Sequence, residues 1–276
     1  MAVADVFSVA GQRIVIIGGT AGIGWAVAVH LAEAGASVTI TGRRDCSAEA
    51  AGAAMTFVPM DVGDASSVAR GFETVTAHAS RIDCLVLNAG VDLGHGEIDN
   101  LDMATFEQVF DVNTLGLVRA LSCGIGAMTA GGSVIVTSSP AGSITTPGMA
   151  AYSASKAALD MLVRTWALEL GPRQIRVNAV LPGIVESEMD AGSTAELEII
   201  RRMTANGVFR QAAEMGPVFQ FLASPASAPL TGSLVGAHDG ISVGYSAEVM
   251  QYLSAEGPEH PPGEARAADE SSSGEA

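Results

Sequence analysis

The regular alternation of short apolar runs with longer helical segments constrains the fold of this chain more than any other feature. The predicted strands are rich in β-branched residues and are bounded by Gly, Asp, Asn or Pro; they cover 13–17, 37–41, 55–58, 83–87, 133–137, 175–180 and 233–237. Helix-like segments lie between them at 23–34, 65–79, 102–128, 150–170, 194–205 and 213–223. This alternation predicts an α/β fold, a single Rossmann-like domain whose doubly wound parallel sheet has about seven strands and is flanked by helices.

The composition divides the chain into a core-forming part and an acidic end. The chain has 276 residues, of which 48% are apolar, enough to bury the core of one domain over residues 1–245. Beyond Tyr245 the composition shifts, and 254–276 contains almost nothing to bury. We therefore expect residues 246–276 to form an acidic, disordered tail.

The formal charge of −16 argues against several classes of partner. An acidic surface repels phosphate backbones and anionic lipids, so we expect no binding to nucleic acid or to membranes. The three cysteines have no metal-ligand spacing, so we expect no metal site and a reducing compartment. With no signal-peptide pattern and no membrane-spanning apolar run, we expect a soluble, cytoplasmic protein.

A glycine-rich turn follows the first predicted strand and leads directly into a helix. Gly18 permits a tight turn, Gly22 lets the backbone approach a pyrophosphate, and Gly24 allows the helix to pack closely on the sheet. A structural turn is the alternative, but the position between strand and helix favours a dinucleotide site. The residues predicted to bind there are Gly18, Thr20, Ala21, Gly22, Ile23 and Gly24.

Tyr152 and Lys156 are four residues apart at the start of a predicted helix, so their side chains share a face. A nearby cation favours the phenolate and lowers the tyrosine pKa from about 10, which suits tyrosine to general acid–base chemistry. Lys156 is the only lysine in the chain. On a helix face that is merely solvated, arginine would serve equally well. The presence of lysine at this one position therefore favours a function for its ammonium group.

Polar residues also end the fourth and fifth predicted strands, where an open α/β sheet binds its ligands. Ser139 ends the fifth strand, and the stretch Asn88, Ala89, Gly90 ends the fourth. Asn113 lies in the middle of a predicted helix, where asparagine is a poor helix former.

Together with Asp61-Val62 and Pro182-Gly183, these motifs resemble the short-chain dehydrogenase/reductase family over residues 10–242. The resemblance implies hydride transfer between a nicotinamide cofactor and a ketone or secondary alcohol. It implies that Tyr152 exchanges a proton with the substrate oxygen, that Ser139 hydrogen-bonds that oxygen, and that Lys156 binds the nicotinamide ribose and lowers the Tyr152 pKa. Asn113 would hold a water that connects Lys156 to solvent.

The resemblance also implies cofactor contacts and an assembly. Asp61 and Val62 would contact the adenine, and Asn88, Ala89 and Gly90 would support the adenosine side. The contacts at the nicotinamide end would come from Pro182, Gly183, Ile184, Val185 and Ser187. Family members are commonly homo-oligomers, and we expect a tetramer or a dimer built through 102–128 and 150–170.

The end of the second strand bears on the choice of nicotinamide. The position where NAD users carry an acid is Gly42, and Arg43 and Arg44 follow it. Arginine can pair with a 2′-phosphate, so we expect NADP(H) in preference to NAD(H). NAD stays open because Ala21 supplies no second cation and Asp45 could turn toward the ribose.

The substrate is the least constrained part. Leu93, Ile144 and Met149 predict an apolar pocket, with His95 as a candidate polar contact. The preferred partner is a small carbonyl or alcohol. Reduction of an imine, oxidation of a diol, and a non-catalytic nucleotide-sensing scaffold are the alternatives.

Overall fold

The computed structural model describes residues 3–78, 80–94, 96–186, 198 and 201–254. Seven parallel strands form one sheet in the order β3-β2-β1-β4-β5-β6-β9. Their bounds are β1 Arg13–Ile17, β2 Ser37–Gly42, β3 Thr56–Pro59, β4 Ile82–Leu87, β5 Met128–Thr137, β6 Arg176–Pro182 and β9 Leu234–Ala237. The predicted doubly wound parallel sheet is confirmed. The strand order reverses between β1 and β4, so a crevice lies above the carboxyl ends of these two strands.

Helices and two short strands complete the described part. The helices are α1 Val3–Val6, α2 Gly22–Glu33, α3 Ser47–Gly52, α4 Ala65–His78, α5 Met103–Phe110, α6 Gly116–Gly124, α7 Ala150–Leu170, α8 Gly216–Ala223 and α9 Ala247–Ser254. Strands β7 Val185–Glu186 and β8 Arg210–Gln211 pair in parallel. Half of the helix predicted at 194–205 lies outside the described residues, and 198 and 201–203 are helical. Within the described ranges, no helix has the length and apolarity to cross a bilayer.

Both faces of the sheet are buried. On β1, Val15 and Ile17 belong to a core with α4, α6 and α7, whereas Ile14 and Ile16 belong to a second core with α2, α3 and α8. All four side chains are at most 1% exposed. Because every side chain of such a strand meets a helix layer, the strand is apolar throughout rather than alternating.

The segment 102–128 differs from the single helix predicted for it. Helix α5 ends at Phe110, a π-helical turn covers Asp111–Leu115, and α6 then runs only to Gly124. Strand β5 begins at Met128, earlier than expected. A π turn holds one more residue than an α turn, a change that hydrophobic periodicity does not reveal.

The C-terminal region also differs from the expectation of disorder from residue 246. Helix α9 begins at Ala247, and the Ser246 hydroxyl accepts a hydrogen bond from the Val249 amide at 3.1 Å. The same hydroxyl donates to the Arg202 carbonyl, and the Arg202 guanidinium lies 3.4 Å from the Glu248 carboxylate. Residues 255–276 lie outside the described residues.

Removal of all residues after Tyr245 should leave a folded core, because both buried clusters are built from residues up to Ala237. The losses are a half-exposed ion pair, worth less than about 1 kcal/mol, and the hydrogen bond from Ser246 to Arg202, worth about 1 kcal/mol, so Tm should fall by less than about 8 °C. Circular dichroism melting of the truncated and full-length chains measures this. An insoluble product would show that the C-terminal segment is needed for folding.

Candidate functional site

The glycine turn after β1 has a backbone that favours glycine. Gly18 and Gly22 have φ angles of +81° and +51°, in the left-handed region where other residues are strained. The amides of Gly18 and Gly19 donate to the Thr41 carbonyl at 3.0 and 2.9 Å. The turn is therefore attached to the end of β2.

Two of the glycines are also required by close approach. A Cβ atom at Gly18 would lie 2.6 Å from the Ala89 Cα atom, and one at Gly24 would lie 2.1 Å from the Gly18 carbonyl oxygen. Real Cβ atoms do not approach this closely, so only glycine fits without a shift of the backbone. The start of α2 is thereby held directly against the ends of β1 and β4.

Asn88 fastens the turn from the other side. Its Nδ2 donates to the Gly18 carbonyl at 2.7 Å, and its Oδ1 accepts from the Thr137 hydroxyl at 2.9 Å. The Asn88 side chain therefore links the ends of β1, β4 and β5, whereas the resemblance implied only support for the adenosine side of a cofactor.

These residues fit the pyrophosphate of a dinucleotide. Ala21 stands at the N-cap of α2, is exposed, and none of the described side chains caps this end of the helix. The first backbone N–H groups of α2 therefore have no side-chain acceptor among the described residues, and they belong to the glycine turn itself. Such a terminus, with its positive dipole end, is suited to an anion.

The end of β2 presents one free cation. A Cβ atom at Gly42 would lie 2.6 Å from the Thr20 methyl carbon, so any side chain there, an acid included, would require Thr20 to move. Arg44 donates to the Thr20 carbonyl, and Asp45 accepts from the Ser47 amide and hydroxyl at 3.0 and 2.6 Å. The Ser47 hydroxyl holds the pKa of Asp45 below its usual value. Exposed Arg43 makes no hydrogen bond or ion pair within the described ranges.

Asp61 and Val62 follow β3 at the same edge of the sheet. Asp61 is half-buried, and its Oδ1 accepts from the Gly63 amide at 3.0 Å. Val62 is 7% exposed and is packed against α6, where a Cβ atom at Gly116 would lie 2.8 Å from it. Both residues therefore lie beside the crevice, Asp61 held by a hydrogen bond and Val62 by packing on α6.

The start of α7 carries Tyr152 and Lys156 side by side. The Lys156 ammonium is 5.5 Å from the centre of the half-buried Tyr152 ring and donates to the Thr137 carbonyl at 3.0 Å. Lys156 is 4% exposed. Burial lowers its pKa to about 8, while the Asp160 carboxylate acts in the opposite direction. The ammonium is therefore charged at neutral pH and loses its charge above about pH 8.

The π-helical turn aims Asn113 inward. Its Oδ1 accepts from the Val91 amide at 2.7 Å, and its Nδ2 donates to the Val91 carbonyl at 2.9 Å and the Ser155 hydroxyl at 3.2 Å. A Cβ atom at Gly90 would lie 3.4 Å from Asn113 Oδ1 and 3.6 Å from Lys156 Nζ. The amide and the ammonium thus flank Gly90, and π turns often serve functional sites in this way.

Ser139 lies two residues after the end of β5. It is half-buried, and its hydroxyl oxygen accepts from the Ala141 amide at 3.1 Å, capping the 3-10 turn Pro140–Gly142. This bond uses the oxygen and leaves the proton available for donation. Ser139 lies two residues after Thr137, whose carbonyl accepts from Lys156.

The remaining predicted contacts are only partly within the described residues. Pro182 ends β6, the Gly183 amide donates to the Ala237 carbonyl at 3.0 Å, and Val185 is 3% exposed. Ile184 lies between them in the same segment. Ser187 lies outside the described residues.

Two loop segments that carry predicted substrate contacts meet beside this edge. The Gly96 amide donates to the Gly148 carbonyl at 3.0 Å and joins the segment after β4 to the loop before α7. Leu93 is 42% exposed, whereas Ile144 and Met149 are half-buried. His95 lies outside the described residues.

Sequence reasoning missed one buried pair, which joins α7 to the end of β5. Asp160 is 4% exposed and accepts from the Ser138 hydroxyl at 2.6 Å. Its spacing of four residues from Lys156 was the available signal. Nowhere in the described ranges do three or more His, Cys, Asp or Glu side chains form a group that could hold a metal ion.

Comparisons with known proteins agree with one another. A family model described as enoyl-(acyl carrier protein) reductase matches residues 18–242. The oxidoreductase asL5 of Sarocladium schorii is 34% identical over 243 residues, covering 84% of this chain and 96% of that protein. A short-chain type dehydrogenase/reductase from Mycobacterium marinum has a TM-score of 0.81 at 30% identity, covering 88% of this chain and all of the other. The NADP active-site complex of RhlG from Pseudomonas aeruginosa has a TM-score of 0.81 at 28% identity, with coverages of 86% and 99%.

Gly24→Ala should weaken dinucleotide binding by about tenfold, because the new methyl group must displace the Gly18 carbonyl or the Asn88 amide. Fluorescence titration with NADPH measures the dissociation constant. Gly52→Ala is the matched control, because a Cβ atom at Gly52 meets nothing within 4 Å. Equal affinities for both variants would contradict the importance of this contact.

Proposed function

The chain belongs to the short-chain dehydrogenase/reductase family and is an NAD(P)-dependent oxidoreductase, and on this basis we propose that it interconverts a ketone and a secondary alcohol with NADP(H). The observation that carries the proposal is the adjacency of the Tyr152 ring and the buried Lys156 ammonium at the carboxyl edge of the sheet. The nicotinamide, when bound, supplies or accepts the hydride.

Tyr152 acts as the general acid in reduction and donates its phenolic proton to the carbonyl oxygen. In oxidation it takes the proton from the alcohol. The Lys156 ammonium stabilises the phenolate that remains, because an opposite charge nearby favours the ionised form. The hydrogen bond from Lys156 to the Thr137 carbonyl keeps the ammonium beside the ring.

Ser139 donates a hydrogen bond to the same substrate oxygen. Its own oxygen is occupied by the Ala141 amide, so the hydroxyl proton is directed toward another acceptor. A donor held in advance stabilises the charge that develops on the oxygen during the reaction. Asn113, fixed by Val91 and Ser155, is placed across Gly90 from Lys156 to hold a water that returns the proton from solvent.

The choice of NADP(H) rests on the end of β2. Gly42 has no room for the acid that would bind a ribose 2′-hydroxyl unless Thr20 moves, and Asp45 is occupied by Ser47. Arg43 is exposed and remains to pair with a 2′-phosphate. The similarity to RhlG, solved in complex with NADP, supports the same choice.

The substrate, the assembly and the compartment are parts of the same proposal. Half-buried Ile144 and Met149 support a small, largely apolar substrate. Exposed apolar side chains on α7, Met161 at 58% and Leu168 at 81%, support a homo-oligomer built through this helix. The free thiols, which include exposed Cys123, support a reducing, cytoplasmic compartment.

Tyr152→Phe should lower kcat for ketone reduction by at least about 100-fold, because it removes only the transferable proton. Cofactor affinity should be unchanged, since the ring and Lys156 remain. NADPH oxidation with a panel of ketones measures turnover, and fluorescence titration measures binding. Near-normal turnover in the variant would refute the proton-transfer role.

Arg43→Ala should raise KM for NADPH by about tenfold and leave KM for NADH nearly unchanged, because only NADPH carries the 2′-phosphate. Steady-state kinetics with each cofactor measures both constants. Arg70→Ala, which removes an exposed arginine from α4, is the control. Equal effects of Arg43→Ala on the two cofactors would overturn the assignment to NADP(H).

A further inference from the structure

Asp160 is a buried carboxyl group that the reaction described above does not use. It lies on α7 one turn after Lys156, is 4% exposed, and accepts a hydrogen bond of 2.6 Å from the Ser138 hydroxyl. Burying a carboxylate is costly unless it is hydrogen-bonded or paired. Burial raises the pKa of Asp160, while the Ser138 hydroxyl, Arg164 and Lys156 lower it. Because burial of this carboxyl group is costly, we expect Asp160 to have a role beside Lys156.

The hydrogen bond reaches the residue directly before Ser139. Ser138 also donates its backbone amide to the Val180 carbonyl of β6 at 2.9 Å, so its position is fixed by both the sheet and α7. Its hydroxyl lies 3.5 Å from the Lys156 carbonyl oxygen.

The 3-10 turn Pro140–Gly142, which Ser139 caps and which we call the Ser139 turn, comes close to the same carboxylate at its far end. A Cβ atom at Gly142 would lie 2.8 Å from Asp160 Oδ2 and 3.1 Å from the Ala157 amide nitrogen. The residues before and after Ser139 are therefore both seated on α7 around Asp160.

The carboxylate also acts on Lys156. Burial lowers the pKa of Lys156 to about 8, and Asp160 is the charge that raises it. Arg164, one turn beyond Asp160 on α7, is a further charge that acts on the carboxylate. The neighbouring strand end and 3-10 turn present the neutral residues Ser138 and Gly142. The centre of the Tyr152 ring lies 5.5 Å from the ammonium.

We propose that Asp160 is a positioning residue that ties the Ser139 turn to the helix bearing Tyr152 and Lys156 and supports the positive charge of the Lys156 ammonium. The consequence for catalysis rests on the proposed function, since it assumes that Tyr152 and Ser139 act on one substrate oxygen. Asp160 acts through the Ser138 hydroxyl, to which it is hydrogen-bonded, and through its charge on Lys156.

Asp160→Asn tests the charge with little change of shape, because the amide oxygen can still accept from Ser138. Lys156 is the only lysine, so full-length protein grown with lysine labelled at Cε and Nζ gives one side-chain NMR signal. Its titration midpoint should fall by about one pH unit in Asp160→Asn relative to the native chain. Ser138→Ala, should the first variant fold poorly, should lower the midpoint by less, because unpartnered Asp160 then takes up a proton more readily.

Glu169→Gln is the matched control. It removes one carboxylate from the exposed far end of the same helix, about 20 Å from Lys156 along the helix axis, and should leave the midpoint unchanged. In the activity assay, the alkaline limb of kcat/KM for reduction should move about one pH unit lower in Asp160→Asn only.

The outcomes separate the two proposals. An unchanged Lys156 midpoint in both Asp160→Asn and Ser138→Ala, or an equal shift in Glu169→Gln, would overturn the role of Asp160 while leaving the proposed reaction intact. Failure of the native protein to reduce any ketone would overturn the reaction, and the NMR titration would still decide whether Asp160 supports the ammonium. A shift of the midpoint without a shift of the alkaline limb would refute the catalytic consequence alone.

Discussion

The hydrogen bond from the buried Lys156 ammonium to the Thr137 carbonyl is the contact on which the site depends. It joins the first turns of α7 to the end of β5 and holds a charged group where almost no water reaches it. An ammonium in such a place needs acceptors, because a buried charge without partners is strongly unfavourable. The position of Tyr152, four residues earlier, then follows from helix geometry.

Thr137 connects this contact to the glycine turn. Its carbonyl accepts from Lys156, while its hydroxyl donates to Asn88, whose amide in turn holds the Gly18 carbonyl. Lys156, which lies beside Tyr152, and Gly18 of the predicted pyrophosphate turn therefore belong to one hydrogen-bonded chain across three adjacent strands. Such a network lets a rigid sheet set the distance between cofactor and catalytic group.

The strands and the pairing of Tyr152 with Lys156 could be predicted because each depends on local sequence. Buried parallel strands are apolar throughout, and a spacing of four residues places two side chains on one face of any helix.

The π turn around Asn113 could not be predicted, since its extra residue is stabilised by Val91 and Ser155, which are distant in sequence. The partnership of Asp160 with Ser138 escaped prediction for the same reason: it forms only when α7 packs on the sheet. Helix α9 was missed because its eight residues are too few to show a helical period, although Val249, Met250 and Leu253 are apolar.

The contact between Gly42 and Thr20 has a consequence for how cofactor preference could evolve or be engineered. The space that an aspartate at residue 42 would need is filled by the Thr20 side chain of the glycine turn. A single replacement at 42 must therefore displace the Thr20 side chain of this turn. We therefore expect positions 20 and 42 to be epistatic, so that an acid at 42 is tolerated best together with a smaller residue at 20.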